Sequence, residues 1–372
     1  MFGFGWATLY IPAMILYTFI YNKKSLSLKM SLPCWINYIS TILFVFYTYL
    51  FGMDYLTVDS PAGTFAVVLF LAFVIIPIFN ATNLEFSIKL LMIFLLGIFI
   101  YVTFVVINTL MTIPIEFGMK SLVSPFFPDL VFNTPSFSNY LAVVFCGFLY
   151  PALVGKGLIV KYISYLILAL SFLMAISLGG RTFFLITLIF IAACSLNLGA
   201  KKIYLILSLF SITVSVLVYY LHTEYPSFSE VLILKFNDGL ASSRYEHWQD
   251  ALQKIPTHPF GGFDVNQQIE EIHSFHNILF DAARLSGWFS ILLLLIIIFI
   301  NVIIYFYIKK SDVTLYYLWY FSFIVALVMM QDVILEGTYK YIVLYTLLNH
   351  IIIKSVKRNI STTVKINKLL YE

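Results

Sequence analysis

Residues 288–308 read WFSILLLLIIIFINVIIYFYI, twenty-one positions without a charge. About 20 such residues span the hydrocarbon core of a bilayer as one helix. The alternation of apolar and polar residues that marks a membrane barrel strand is absent. Working outward, similar apolar runs occur at residues 4–21, 35–51, 62–79, 90–110, 140–153, 162–178, 183–198, 203–221, 315–330 and 339–353. Together they predict an all-α polytopic membrane protein of eleven or twelve spans. It forms a single membrane domain over residues 1–372, with a large loop at 222–285. The composition agrees: 61% of residues are hydrophobic and only 11% charged, against about 25% charged in a soluble domain.

Charge sets the expected orientation. Alternate loops, beginning with the one that carries Lys23, Lys24 and Lys29, hold 15 of the 22 basic residues. The other loops hold 15 of the 18 acids. Basic residues concentrate on the cytoplasmic side. The C-terminus is therefore expected inside and, with eleven spans, the N-terminus outside. The first apolar run has no basic leader and reads as a retained helix. Cys34, Cys146 and Cys194 show no paired spacing and read as core residues, with neither a disulfide nor a thiolate metal site. The basic tail from Lys354 onward suits an anionic inner leaflet.

Polar residues gather in one place. Residues 242–287 read SSRYEHWQDALQKIPTHPFGGFDVNQQIEEIHSFHNILFDAARLSG and hold four of the six histidines and two of the four arginines. Ser242 or Ser243 is expected to cap a helix. Tyr245, Trp248, Ala251, Leu252 and Ile255 form its apolar stripe, with Arg244 and His247 at one edge. Pro256 ends that helix and His258-Pro-Phe-Gly-Gly262 turns the chain. A second helix is expected from about Gln267 into the span at 288. It would place His273, His276, Asn277, Phe280 and Arg284 on one face. Two further loops on this side are the Phe-, Pro- and Ser-rich stretch 111–139, with a turn-forming cluster at 132–139, and the tight link Leu178-Gly-Gly-Arg-Thr182.

Guanidinium groups bind phosphate bidentately, so Arg181, Arg244 and Arg284 are candidate anion ligands. Each also suits a membrane interface. Arg181 stands out as a lone charge between two spans. Imidazole accepts a proton from a hydroxyl near neutral pH, which makes His276 and His273 candidate bases. Two histidines three apart also suit a metal, but only Glu270 or Glu271 offers a third ligand, so no metal is expected. The 37 Phe and 26 Tyr suit a lipid interface and do not by themselves indicate sugar binding.

The arrangement Arg244-x3-Trp248-x2-Ala251-x3-Ile255, then Pro259 and Gly261-Gly262, then His273-x2-His276-Asn277 and Gly287, resembles the bacterial O-antigen polymerase and O-antigen ligase superfamily. Gly180-Arg181-Thr182 before a span resembles that family's arginine hairpin. The resemblance covers residues 177–308 and the topology, and implies a membrane glycosyltransferase of the bacterial inner membrane. Its donor would be an undecaprenyl-pyrophosphate-linked oligosaccharide and its site would face the outer side. His276, or else His273, would be the base for inverting transfer. Arg181, Arg244 and Arg284 would hold the pyrophosphate, Asn277 would orient base or sugar, and His247 would bind pyrophosphate or glycan. No metal, nucleotide cofactor or nucleic acid is implied. Besides membrane lipid, the partners would be a lipid-linked acceptor and a chain-length regulator. Polymerase is favoured over a ligase acting on lipid A–core. A flippase for the same lipid is the alternative of another class, disfavoured because the polar residues sit in one loop rather than in mid-span.

Overall fold

The computed structural model describes residues 30–52, 54, 84–112, 121–123, 125, 131–155, 157–198, 219, 223, 244–266, 274–308, 312–335 and 340–371. In chain order the elements are α1 (Leu32–Gly52), α2 (Leu84–Thr112), β1 (Ser121–Val123), β2 (Val131–Asn133), α3 (Thr134–Val154), α4 (Leu158–Ser177), α5 (Arg181–Leu198), α6 (Arg244–Lys254), α7 (Ile278–Ser286), α8 (Trp288–Tyr305), α9 (Val313–Met329) and α10 (Lys340–Tyr371). Among the described residues, α1, α2, α3, α4 and α8 are long and apolar enough to cross a membrane. Arg181–Ser195 and Val313–Met329 are apolar but shorter. Exposed side chains such as Phe46, Phe104 and Phe299 are apolar, as suits helices whose solvent is lipid. The chain is a helical membrane protein. The runs expected at 4–21, 62–79 and, apart from Tyr219, 203–221 lie outside the described residues.

Two compact units form, one of Met1–Leu91 with Arg244–Glu372, the other of Met92–Ser243. In the first, α1 packs on α7, α8 and α10, and α9 packs on α10. Apolar contact alone does not drive helices together in lipid, and interfaces rely on small and polar residues. The buried face of α1 has this character. Asn37 Nδ2 donates to the Thr346 carbonyl at 3.2 Å, and the Thr41 and Thr346 hydroxyls lie 3.1 Å apart. Thr48 Oγ1 donates to Ser290 Oγ at 3.1 Å, and Tyr49 donates to the Leu335 carbonyl at 2.6 Å. A second polar knot joins α8, α9 and α10. Asn301 Nδ2 donates to Ser322 Oγ at 2.8 Å and also to Asn349 Oδ1, which takes the Ser322 hydroxyl at 3.0 Å.

In the second unit α3 packs on α4 and α5. Two departures from expectation concern loops. The stretch 111–139 contains a strand pair, β1 antiparallel to β2 with Leu122 opposite Phe132. It is anchored on the end of α2, where Val123 N–H donates to Thr109 Oγ1 at 3.0 Å and Asn108 Nδ2 to the Val123 carbonyl at 3.1 Å. Only Phe132 and Asn133 of the expected turn cluster stay outside a helix. The remainder is the first turn of α3, because Pro135 suits the start of a helix, where its missing N–H costs nothing. The short runs at 140–153 and 339–353 are expected to extend into their flanks, and the last helix does so, continuing past residue 353 to Tyr371.

Gly52 ends α1 against α7. A Cβ there would come within 2.6 Å of Leu285 Cβ and 3.3 Å of its Cα, atoms that no rotamer change moves away. Gly52→Ala is expected to destabilise the first unit by about 1–3 kcal/mol, the usual cost of overpacking. Thermal unfolding in detergent measures it, and an unchanged midpoint would mean that α7 yields.

Candidate functional site

Of the polar residues singled out in the sequence, those at 244–266 and 274–287 build one small lobe in the first unit. It starts with α6, whose apolar face turns inward. Ala251 is buried with Phe263, Val265 and Phe275, and Trp248, Ile255 and Phe280 pack against this cluster. The buried stripe differs from the expected one. Tyr245 and Leu252 are 59% and 60% exposed, whereas His247 is 0% exposed. His247, Trp248 and Ala251 follow the i, i+1, i+4 spacing of a single face, and the amphipathic pattern does not distinguish an imidazole inside from a tyrosine inside. Trp248 Nε1 donates to the Phe275 carbonyl at 2.9 Å, tying α6 to the strand of chain before His276.

Pro256 ends α6 through a 3-10 turn at Ile255–Thr257. The Pro-Phe-Gly-Gly turn then closes on the start of α8. Gly262 N–H donates to the Arg284 carbonyl at 2.8 Å and Trp288 N–H to the Pro259 carbonyl at 2.9 Å. Gly261 and Gly287 both adopt positive φ, 78° and 77°. A Cβ on Gly261 would meet Ser286 N at 2.6 Å, and one on Gly287 would meet the Pro259 oxygen at 2.0 Å. Backbone lies directly on backbone here, which is the reason for glycine at both places. His258 is used in the turn, its Nδ1 lying 3.0 Å from both Thr257 Oγ1 and the Lys254 carbonyl.

The expected second helix is broken. His276 has φ 52° and is not helical. Asn277 is extended at φ −150°, and its side chain caps α7 by accepting from Leu279 N–H at 3.0 Å. Helical periodicity therefore does not relate His276 to Arg284. His273 lies outside the described residues. A histidine in the left-handed region costs about 1–2 kcal/mol and is held by its surroundings. The Asp281 carboxylate accepts both flanking N–H groups, Phe275 at 2.7 Å and Asn277 at 3.3 Å.

Two candidate residues converge on the turn that ends α9. Asn277 Nδ2 donates to the Met330 carbonyl and Arg244 Nη1 to the Gln331 carbonyl, each at 3.4 Å. His276 is the half-buried neighbour of Asn277, and Asp332, buried, follows Gln331. Arg284 is only 2% exposed, inside the lobe, with Nε 3.8 Å from Asp281 Oδ1. Its charge is opposed, unlike that of an open anion clamp. His247 is fully buried, and among the described residues neither ring nitrogen has a hydrogen-bond partner. Among the described residues no group of three His, Cys, Asp or Glu gathers as a metal site.

Arg181 belongs to the second unit, where the α4–α5 link is as short as the sequence predicts. Gly179 turns it at φ 63°. A Cβ on Gly180 would lie 2.1 Å from Ser138 Oγ, so the link is pressed onto α3. Arg181 is the first residue of α5 and is exposed. A cation at the positive end of a helix dipole is unfavourable unless an anion answers it.

Asp281 and Asp332 are the members of the lobe that sequence reasoning passes over. For Asp281 a signal exists: an acid in the first turn after Asn277, a preferred capping residue, marks a helix start at 278. Nothing local distinguishes Asp332 from any acid at the end of a span. The backbone closure gives a direct test. Gly287→Ala is expected to open the Pro259–Gly262 turn, seen as faster limited proteolysis after Lys254. Gly157→Ala, whose Cβ would meet only Val160 at 3.6 Å, should leave the digestion pattern unchanged.

The sequence matches no protein-family model and no curated protein, and the functional reading rests on these residues and their geometry.

Proposed function

We propose that the chain is a membrane glycosyltransferase that polymerises a surface polysaccharide, joining repeat units carried on undecaprenyl pyrophosphate at the outer face of the bacterial inner membrane. The observation that carries this reading is the lobe itself. Arg244 and Asn277 donate to the turn at the end of α9, His276 is the neighbour of Asn277, and from Asn277 the chain runs through α7 into the membrane helix α8. A group so placed reaches a substrate whose lipid lies in the bilayer and whose sugars stand above it. The resemblance of the His-Asn and Pro-Phe-Gly-Gly pattern to the O-antigen polymerase and ligase superfamily supports the same chemistry.

In this mechanism the His276 imidazole accepts the proton of an acceptor sugar hydroxyl. The oxygen attacks the anomeric carbon of the donor, and the bond from that carbon to the pyrophosphate oxygen breaks. Undecaprenyl pyrophosphate leaves with the electron pair, and the proton passes from the imidazolium to water. Attack opposite the leaving group inverts the anomeric centre. The leaving group is already good, and the protein has mainly to hold its negative charge, which Arg244 does without a metal. Asn277, fixed by the Met330 carbonyl, keeps the base in register with the α9 turn. Arg284, paired with Asp281 inside the lobe, supports the turn rather than touching the substrate. His273 is the second candidate base. Arg181, exposed at the start of α5, is an anion ligand in its own right.

The test is purified protein in detergent with a lipid-linked repeat unit as both donor and acceptor, the product ladder being read on a gel. Base catalysis contributes about 10²–10⁴-fold, and His276→Ala should lose polymerisation by that order while still binding the donor lipid. Arg244→Ala and Arg181→Ala should abolish the ladder, and Arg181→Lys should restore little, because an ammonium lacks the bidentate fork. Wild-type activity should survive EDTA. A ladder from His276→Ala as long as the wild type's would move the base elsewhere. Loss in EDTA with recovery on adding a divalent ion would replace the imidazole with a metal. Transfer to lipid A–core in preference to a lipid-linked unit would make the protein a ligase.

Orientation has its own test. A periplasm-dependent reporter fused after Thr257 should be active, and one fused after Glu372 inactive. The reverse pattern would place the lobe on the cytoplasmic side, away from the exported lipid-linked glycan.

A further inference from the structure

We infer that Asp281 is a positioning residue for His276: its carboxylate grips the amides on either side of that histidine and holds the imidazole in the one backbone conformation that presents it beside Asn277. The inference rests on the reading of His276 as the base and adds to it the group that fixes the base in place.

His276 is the single non-glycine residue with positive φ among the described residues. Residues in that region persist where their surroundings over-determine them, and such places cluster at functional sites. Here the determinants are explicit. The N–H groups of Phe275 and Asn277 converge on the two oxygens of Asp281, at 2.7 Å on Oδ1 and 3.3 Å on Oδ2. Successive amides around a left-handed residue form a concavity that suits an anion, and here a side chain of the protein supplies it. Asp281 is 2% exposed, so water does not compete for those oxygens, and hydrogen bonds to a charged acceptor are about twice as strong as neutral ones.

The neighbouring contacts close the frame around the histidine. The Phe275 carbonyl takes Trp248 Nε1 at 2.9 Å, the Asn277 carbonyl takes the Asp281 N–H at 2.8 Å, and the Asn277 side chain spans from Leu279 N–H to the Met330 carbonyl. With residues 275 and 277 fixed on both their N–H and C=O sides, the backbone of His276 has no freedom to rotate. The ordinary role of an acid near Asn277 is to support a helix start. That role alone gives no reason for the carboxylate to reach past the cap to the amide of Phe275.

Asp281→Asn keeps the shape but offers one acceptor oxygen where two amides need one each. Two measurements test the proposal on the full-length protein in detergent. Hydrogen exchange of peptides covering residues 274–282 should show the amides at 275 and 277 protected in the wild type and fast in the variant. Initial rates with the lipid-linked repeat unit should show kcat reduced about 10²-fold, the scale of a misplaced catalytic group, with KM for the donor unchanged. In a His276→Ala background the same substitution should cost nothing further. Should Asp281→Asn fail to reach the membrane, the pair Asp281→Asn with Arg284→Gln leaves no unpaired buried charge and is read by exchange alone. Retained protection at 275 and 277 overturns the proposal. So does an Asp281→Asn penalty of equal size with and without His276, the signature of a merely structural residue. Near-normal activity of His276→Ala alone would instead overturn the base reading and the catalytic half of this inference, leaving the exchange measurement to decide whether Asp281 holds the turn.

Discussion

The polar lobe depends on a place where two backbones touch. Between the Pro259–Gly262 turn and the junction of α7 with α8 backbone lies on backbone, joined by the Gly262-to-Arg284 and Trp288-to-Pro259 hydrogen bonds and shaped by three glycines with positive φ, Gly261, Gly262 and Gly287. That contact fixes the lobe to the first residue of a membrane helix. Trp288 strengthens it from the other side, its indole N–H donating to the Ile255 carbonyl at 2.9 Å. Side chains packed between two elements leave them free to shift by fractions of an ångström. Paired backbone groups do not, because a small displacement leaves an unsatisfied N–H or C=O. The site is therefore built on the stiffest joint available to a loop.

That stiffness compensates for a small core. Inside the lobe Ala251, Phe263, Val265 and Phe275 are buried, with Trp248, Ile255 and Phe280 packed against them. A cluster of this size is far below what a free-standing domain needs. The remaining support comes from below, where Gly52 lets α7 lie directly on the end of α1. The hydroxyls of Ser286 and Ser290 continue the contact from α7 into α8, and Thr48 of α1 joins them through Ser290. Membrane helices thus serve as the floor of the lobe, and the position of His276 is inherited from the packing of α1 against α8.

Much of this was readable in the sequence, for identifiable reasons. The spans of the described helices followed from apolar length, and the closing turn from Pro259 and the two glycines after it. The end of α6 followed from Pro256. These features are local: a proline or a glycine imposes its geometry whatever surrounds it. The misreadings concern residues whose state is decided at a distance. Residues 273, 276, 277, 280 and 284 share helical spacing, yet the chain breaks at 276 because Asp281 outbids the helix for the amides of 275 and 277. Spacing alone puts His247 with Arg244 at one edge of the α6 stripe, whereas His247 is fully buried. Spacing likewise puts Arg284 on the face of His276 and Asn277, whereas its side chain is buried inside the lobe beside Asp281.

Arg284 and Asp281 raise a question of energy that geometry answers. A buried ion pair seldom adds net stability, because stripping water from both charges costs more than their attraction returns unless further hydrogen bonds use the remaining capacity. Here Nε and Oδ1 are 3.8 Å apart, too far for a strong hydrogen bond, so the pair is weak as a bond. Its members are spent elsewhere. Asp281 holds the two amides flanking His276, and Arg284, one helical turn further, receives through its carbonyl the Gly262 N–H of the closing turn. Helical geometry fixes residues three apart to one side of α7. The stretch from 281 to 284 therefore links the backbone joint at one end of the lobe to the strained histidine at the other. Two apolar residues would fill the same space with less desolvation. They could not hold two N–H groups in place, and the left-handed turn at His276 would lose the one group that grips the amides on both its sides.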